Sequence, residues 1–400
     1  MAYTWVADWP TMIAYAIEII TTILTIAGIG YYLLAIVSAW AFARASKRIM
    51  PNDAPAVSIL KPVKGLDPDM YESFRSHCQQ QYAGSYEILF GVNSLDDPAV
   101  RAVEQLKAEF PDVSIRLALC PQKLGTNGKV SNLVQMLPQA SYGHIIINDS
   151  DIKVGPHYLQ RVMASFSLPH KKGGKVGMVT APYRGRAHGT VGSKMEALGI
   201  STDFIAGVLT ARMIEGGIRF ALGSTLAISP EALRAIGGLE PLVDYLADDY
   251  EMGVRVSRAG FEVTLCPEVV ETDIPAYNFA GFLRHQIRWG RSTRDSRRFG
   301  YAGLCLTFGL PWALLNVVAS GFHPVALWLF TLALLARLTL ALNVGVGVLR
   351  DEQVLRDLWL VFPRDLVALG LWIWSFAGNT VVWRGEVFAL KNGKLHRVTA

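Results

Sequence analysis

Apolar and polar positions divide the chain into three stretches of different rhythm. From Ile19 to Ala43 run 25 residues without a formal charge, long enough to cross a bilayer with some tilt. From Ala56 to about Leu283 short β-rich runs alternate with amphipathic segments of helical period. Beyond that, three further apolar segments follow a basic stretch: Leu304–Ala319, Val325–Leu349 and Leu366–Trp383. The middle pattern predicts strands at Val57–Leu60, Tyr86–Val92, Ser114–Leu119, His144–Asn148, Val176–Thr180, Thr225–Ser229 and Glu262–Cys266. Between them it predicts helices at Met70–Gln80, Ala99–Phe110, Lys129–Leu137, Pro156–Ser167, Pro230–Ile236 and Asp249–Ala259. Strand–helix alternation argues for an α/β domain with a mainly parallel sheet and flanking helices. In such sheets ligands bind beyond the carboxyl ends of the strands.

The expected organisation is a membrane anchor over 1–48, an α/β domain over 49–283, a basic interfacial helix over 284–301, membrane helices over 302–385 and a basic tail over 386–400. A signal peptide competes for the first segment, since Ala41-Phe42-Ala43 resembles a cleavage site. No Lys or Arg precedes the apolar run, and the run is too long for such a peptide, so an uncleaved anchor is the expectation. Arg44, Lys47 and Arg48 follow it, which places the next domain in the cytoplasm, with Trp5, Trp9, Tyr15 and Trp40 at the interfaces. A polar linker spans Pro51–Pro55.

Arg284, Arg288, Arg291, Arg294, Arg297 and Arg298, interleaved with Phe282, Ile287 and Trp289, read either as a helix lying on lipid headgroups or as a solvated basic helix. Gly309-Leu310-Pro311 suggests a tilted or re-entrant first C-terminal segment. Arg337 in the second segment needs a partner or water. Three crossings would leave Arg384, Lys391, Lys394 and Arg397 outside, against the positive-inside rule. The expectation is therefore a tail on the cytoplasmic side, with one segment not crossing fully.

Composition adds two limits. The formal net charge of +5, without a dense basic stripe bearing interleaved aromatics, fits an anionic membrane surface and argues against nucleic acid. Cys78, Cys120, Cys266 and Cys305 are far apart and form neither a zinc motif nor a disulfide framework, which fits a reducing compartment.

The candidate chemistry lies in acids at strand ends. Asp149-Ser150-Asp151 follows a buried-strand pattern, and two hard oxygen ligands there can share Mg²⁺ or Mn²⁺ with a diphosphate; helix capping before Pro156 is the plainer alternative. Asp96-Asp97-Pro98 carries an N-cap signature, or else one carboxylate receives hydrogen bonds from a uracil or ribose. Asp248-Asp249 opens a helix and could cap it; alternatively, a carboxylate held beside another, away from water, can serve as a general base. Lys123 through Lys129 is a glycine-flanked basic loop before a helix, without Walker spacing, suited to a phosphate. Gly223-Ser224-Thr225 leads into a strand and would close the floor of a pocket. Acids of this order suit a nucleotide diphosphate-sugar beside a divalent cation, and the apolar ends suggest a lipid acceptor.

In these residues the chain resembles the family 2-like inverting glycosyltransferases. It looks most like the ceramide glucosyltransferase family, family 21, which includes bacterial members that glycosylate hopanoids. The matching stretches are Ser58 through Gly65, Asp96 through Ala99, Lys123 through Leu133, Asp149 through Asp151, Ala247 through Tyr250, and Arg288-Trp289. The resemblance implies a GT-A fold, a cytoplasmic active site in a bacterial inner membrane protein, and inversion at the sugar. It implies donor binding by Lys61, Asp96, Asp97, Lys129, Asp149 and Ser224, a metal on Asp149 and Asp151, and catalysis by Asp249 as base with Asp248, Arg288 and Trp289. His285 stands where the family's last motif has Gln or Arg, and Asp248 where Glu is usual. The implied partners are a UDP-sugar carrying glucose or N-acetylglucosamine, and a hopanoid polyol or ceramide. A processive polysaccharide synthase and a non-catalytic nucleotide-sugar-binding membrane protein are the rival readings.

Overall fold

The computed structural model describes residues 9–46, 53–67, 69–168, 174–383 and 385–398. Trp5, Lys47, Arg48, Pro51, Asn52 and Arg384 lie outside the described residues. In chain order the soluble part runs through β1 (Val57–Pro62), α2 (Met70–Cys78), β2 (Tyr86–Val92), α3 (Ala99–Glu109), β3 (Ser114–Leu119), α4 (Gly128–Met136), β4 (His144–Ile147), β5 (Ile152–Lys153), α5 (Tyr158–Ala164), β6 (Val176–Thr180), β7 (Tyr183–Ala187), α6 (Val191–Gly199), α7 (Ile205–Glu215), β8 (Leu226–Ile228), α8 (Pro230–Ala235), α9 (Asp248–Arg258), β9 (Glu262–Leu265) and β10 (Val270–Ile274). A long helix, α1 (Trp9–Ala45), precedes it. After it come α10 (Phe279–Ser296), α11 (Arg298–Gly303), α12 (Gly309–Ala319), α13 (Pro324–Ala341), α14 (Gln353–Asp357), α15 (Val361–Ser375) and strands β11 (Thr380–Trp383), β12 (Glu386–Lys391) and β13 (Lys394–Arg397).

The main sheet has the order β3-β2-β1-β4-β8-β6-β9, with β8 antiparallel to both neighbours and the other pairings parallel. Its central strands are buried on both faces, which is why β1, β2 and β4 read as continuous apolar runs rather than alternating ones. The chain order reverses at β1, between β2 and β4, so the crevice beyond their carboxyl ends is the expected ligand site. All seven strands of the sequence reading fall in this sheet. A second sheet, β5-β10-β7, was not foreseen; it stands beside the ends of β4 and β6. β5 is two residues long and β7 is largely polar, so neither gives a periodic signal.

Among the described residues, four helices are long and apolar enough to cross a membrane: Met12–Ala45, Val191–Glu215, Pro324–Val348 and Gln353–Ser375. Arg298–Thr307 and Gly309–Ala319 add a pair bent by 55°. The bend falls just before the expected Gly309-Leu310-Pro311. The span Val191–Glu215, interrupted by a π turn at Ile200–Phe204, is absent from the sequence reading because Lys194, Glu196, Asp203 and Arg212 break its apolar run. The third C-terminal segment needs correction: the helix stops at Ser375, and Thr380–Trp383 is a strand.

The apolar helices are joined by backbone contact and paired polar groups. A Cβ at Gly28 would fall 2.1 Å from Gly309 Cα, so α1 and α12 touch through two glycines. Thr22 donates to Asn316 Oδ1 at 2.9 Å. Arg337 finds its partner in Asp365, with two bonds of 2.6 and 2.9 Å, and Arg364 pairs with Asp203 at 2.9 Å.

The tail is a folded β-meander rather than a loose basic end. Leu246 N donates to Gly393 O, and Leu395 N to Asp244 O, so these strands join the loop before α9. Tail and α/β domain are therefore in contact, as the expectation of a tail on the domain's side requires. The arginines of α10 are drawn inward as well: Arg291 donates to Thr380 O and Ala377 O, Arg294 to Ser375 O and Gly378 O, and Arg297 pairs with Glu215. At least these three spend donors on the protein rather than on headgroups.

Candidate active site

Two acid-bearing segments and one lysine-bearing helix converge beyond the carboxyl edge of the main sheet. β4 delivers Asp149 and Asp151, the N-terminus of α9 delivers Asp248 and Asp249, and α4 delivers Lys129 between them. Lys129 Nζ lies 2.8 Å from Asp149 Oδ1 and 3.3 Å from Asp248 Oδ2. Asn127 sets that lysine: its side-chain oxygen accepts from Lys129 N and Val130 N, and its amide donates to Tyr245 O at 2.8 Å and Asp248 Oδ1 at 3.3 Å. The first N–H groups of α4, expected to face a phosphate, are thus taken by Asn127. What the loop offers the site is the ammonium.

Gly223 marks the centre. A Cβ there would stand 3.0 Å from Asp249 Oδ2 and 3.8 Å from Asp149 Oδ2, so both carboxylates face the same bare backbone and any side chain would fill the space between them. Asp249 Oδ1 accepts from Tyr250 N at 2.8 Å, which leaves Oδ2 turned to the crevice.

Negative charge outweighs positive here. Burial, then the neighbouring Asp248, pushes the Asp249 carboxyl up to about 6, against the pull of Lys129. Burial and Asp149 push Asp151 up to about 6, although Thr272 donates to it. Burial pulls Lys61 down to about 7, opposed by Asp151 and Asp149. Burial alone would lower Lys129 too, but Asp149 and Asp248 outweigh it and its affinity for the proton rises. Asp248 Oδ2 is buried without a hydrogen-bond donor; Lys129 is near but not aligned. Two hard carboxylates, Asp149 and Asp151, crowded enough that Asp149 raises the proton affinity of Asp151, fit a divalent cation.

The other expected residues divide. Lys61, at the end of β1, donates to Asp149 O at 3.0 Å and so supports the strand-end turn. Asp97 accepts from Gly65 N at 3.0 Å and Ala99 N at 2.9 Å; it caps α3 and also holds the loop after β1. The Asp96 N–H bonds Ser94 Oγ, and its own carboxylate lies in an exposed turn within reach of the same hydroxyl. Ser224 Oγ donates to Ala181 O and Ser224 O accepts from Asn148, so its hydroxyl serves the sheet rather than the crevice. Trp289 reaches the site through aromatic contacts: its ring centroid is 6.4 Å from Phe204, which is 5.7 Å from Tyr183. Arg288 acts on Tyr277, which also feels Asp151.

Several partners escaped the sequence. Glu196, 3% exposed, receives His285 Nδ1 at 2.9 Å, and His285 stacks on Tyr277 at 5.4 Å and lies 5.1 Å from Trp289. The imidazole at the unusual motif position therefore ties α10 to α6. Tyr245, before the acid pair, lies between Arg255 and Lys394 of the tail. These contacts join residues far apart in the chain and leave no local spacing to read. Asp69, His188 and Asp273 bring ligand atoms within 4.8 Å of one another.

A sheet of this order, with acids and a lysine gathered beyond its carboxyl edge, defines a GT-A-like glycosyltransferase. A mannosyltransferase from Pyrobaculum calidifontis, solved with GDP-Man and Mn²⁺, shares the fold with a TM-score of 0.52 at 18% identity, covering 90% of this chain and 98% of that one. Residues 20–396 match the model of Glycosyl transferase family 21, and the chain belongs to that family. Ceramide glucosyltransferase 3 of Caenorhabditis elegans is 26% identical over 404 residues, covering 94% of this chain and 82% of the relative. An N-acetylglucosaminyltransferase of Rhizobium leguminosarum bv. viciae is 22% identical over 272 residues, covering 63% of this chain and 59% of the relative.

Proposed function

We propose that this chain is a membrane-anchored, metal-dependent, inverting UDP-sugar:lipid glycosyltransferase that acts from the cytoplasmic face of a bacterial inner membrane. The observation that carries the reading is the convergence of Asp149 and Asp249 on the bare backbone at Gly223. Asp149 and Asp151 would hold Mg²⁺ or Mn²⁺ at the donor diphosphate. When bound, the cation offsets the charge that develops on the departing nucleoside diphosphate. Lys129, held between Asp149 and Asp248, adds a second positive charge at that point. Asp249 takes the proton of the lipid hydroxyl while the hydroxyl oxygen bonds to the anomeric carbon. The bond from that carbon to the diphosphate breaks, and its electron pair leaves with UDP. The raised proton affinity of Asp249 suits a base that works near neutrality. Asp97 and Lys61 brace the donor side, and Arg288 and Trp289 close the site from α10.

The sugar is glucose or N-acetylglucosamine and the acceptor a hopanoid polyol such as bacteriohopanetetrol. The segment Tyr245 through Tyr250 and the His285 motif support that branch. Ceramide is the alternative, favoured by the near full-length match to a ceramide glucosyltransferase. The test crosses labelled UDP-glucose and UDP-N-acetylglucosamine with ceramide and bacteriohopanetetrol, with Mg²⁺ or Mn²⁺, on membranes holding the protein, and weighs the lipid product. One monoglycosylated hopanoid is expected. A glycosylceramide replaces the acceptor, a long polymer replaces the class with a synthase, and UDP binding without product in any pairing removes the enzyme reading.

A further inference from the structure

We propose a second cation site, built by Asp69, His188 and Asp273 and selective for a divalent transition-metal ion such as Zn²⁺. The three residues come from separate elements: Asp69 from the turn before α2, His188 from the residue after β7, Asp273 from β10. Asp273 is 7% exposed, and its Oδ1 has no hydrogen-bond donor. His188 Nε2 is likewise buried and unbonded, and lies 3.9 Å from that oxygen. A buried carboxylate oxygen and a buried ring nitrogen that face each other without bonding each forfeit about 1–3 kcal/mol. The gap is too long for a hydrogen bond. It suits two ligands of one ion, since metal bonds of about 2.1 Å place neighbouring ligands roughly 3–4 Å apart. Asp69 supplies the third ligand atom, within 4.8 Å of the other two.

The cluster is separate from Asp149 and Asp151. Thr272 donates to Asp151, and alternation along β10 turns the next residue, Asp273, to the opposite face of the strand. The donor set of one imidazole and two carboxylates favours zinc-like ions over the all-oxygen preference of Mg²⁺ or Ca²⁺. Arg186 is the competing cation: it lies 3.9 Å from Asp69 and 4.0 Å from Asp273, beyond hydrogen-bonding range, and its side chain is 45% exposed. It can swing outward when an ion enters. An ion here would pin the loop before α2 to the small sheet that carries Thr272 and Tyr183, bracing the donor side of the crevice.

The test is equilibrium dialysis of the full-length, tag-free protein in detergent against Zn²⁺, with metal counted per chain. His188→Ala should lose one equivalent of bound zinc relative to the unmutated chain, and Asp273→Asn should weaken that equivalent about tenfold or more. Arg186→Gln should tighten it. X-ray absorption at the zinc edge of the unmutated, zinc-loaded chain gives an answer independent of how the variants fold, because imidazole scattering is expected from this site. Equal zinc uptake by His188→Ala and the unmutated chain, or a coordination sphere of oxygen alone, overturns the proposal.

Discussion

Buried charge is handled in opposite ways by the two halves of the molecule. In the helical half, Arg337 meets Asp365 through a two-pronged pair, and Arg364 meets Asp203. In the crevice, the four carboxylates of Asp149, Asp151, Asp248 and Asp249 outnumber the ammoniums of Lys129 and Lys61, Asp248 Oδ2 lacks a donor, and Asp151 and Asp249 are pushed up to about 6. Matched charge costs little to keep buried and holds helices in register. Mismatched charge costs stability and persists where a ligand completes it. We propose that the first set is scaffold and the second machinery.

The strongest way to break this comparison is Asp249→Asn. It should lower kcat about a thousandfold, within the range for loss of a general base, while UDP-sugar affinity by calorimetry stays nearly unchanged. Substantial turnover would remove Asp249 as the base and make its raised proton affinity incidental. Next comes the scaffold. Arg337→Met leaves the buried Asp365 only its longer 3.5 Å contact with Arg364 and should destabilise the protein by about 3 kcal/mol in detergent unfolding. The double change with Asp365→Leu should recover much of the loss. A neutral single substitution would mean that the pair is not structural.

A third test sharpens the machinery side. A base must be ionised, and Asp249 gains its proton as pH falls through about 6, so kcat/KM with saturating metal should drop about fivefold between pH 6 and pH 5. A flat profile to pH 5 would contradict the mismatch. The smallest effect belongs to the tail. Tyr245→Ala removes the ring between Arg255 and Lys394 and should cost a few-fold in kcat, about 0.5–1 kcal/mol, with the thermal midpoint nearly unchanged. A kcat equal to that of the unmutated chain would show that the tail covers the loop before α9 without tuning it.

The main sheet was legible because its central strands are buried on both faces and read as mostly apolar runs, while the edge strands β3 and β9 alternate. Asp149 and Asp151 were legible because they follow such a run directly, and Asp248 and Asp249 because they open a helix. Asp97 shows the limit of such reading: capping and a bond to a uracil or ribose were the alternatives, and its carboxylate accepts from Ala99 N at the start of α3 and, unforeseen, from Gly65 N in the loop after β1. Ser224 shows another, since a hydroxyl at a strand start says nothing of its direction, and this one turns to Ala181 O. The small sheet was missed because two of its three strands are too short or too polar to show a period. The Val191–Glu215 helix was missed because its charged residues hide its length, although Asp203 is answered by Arg364 from α15.

By itself, then, the order of residues determined the apolar spans, the α/β alternation and the sites of the acids, because each is set by neighbours within one turn or one strand. The tertiary structure alone decided that Lys129 bridges Asp149 and Asp248, that His285 answers to Glu196, that Arg337 is paired, and that the tail returns to the loop before α9. Those contacts link segments separated by tens to hundreds of residues. Their geometry exists only once the sheet and the helices have packed.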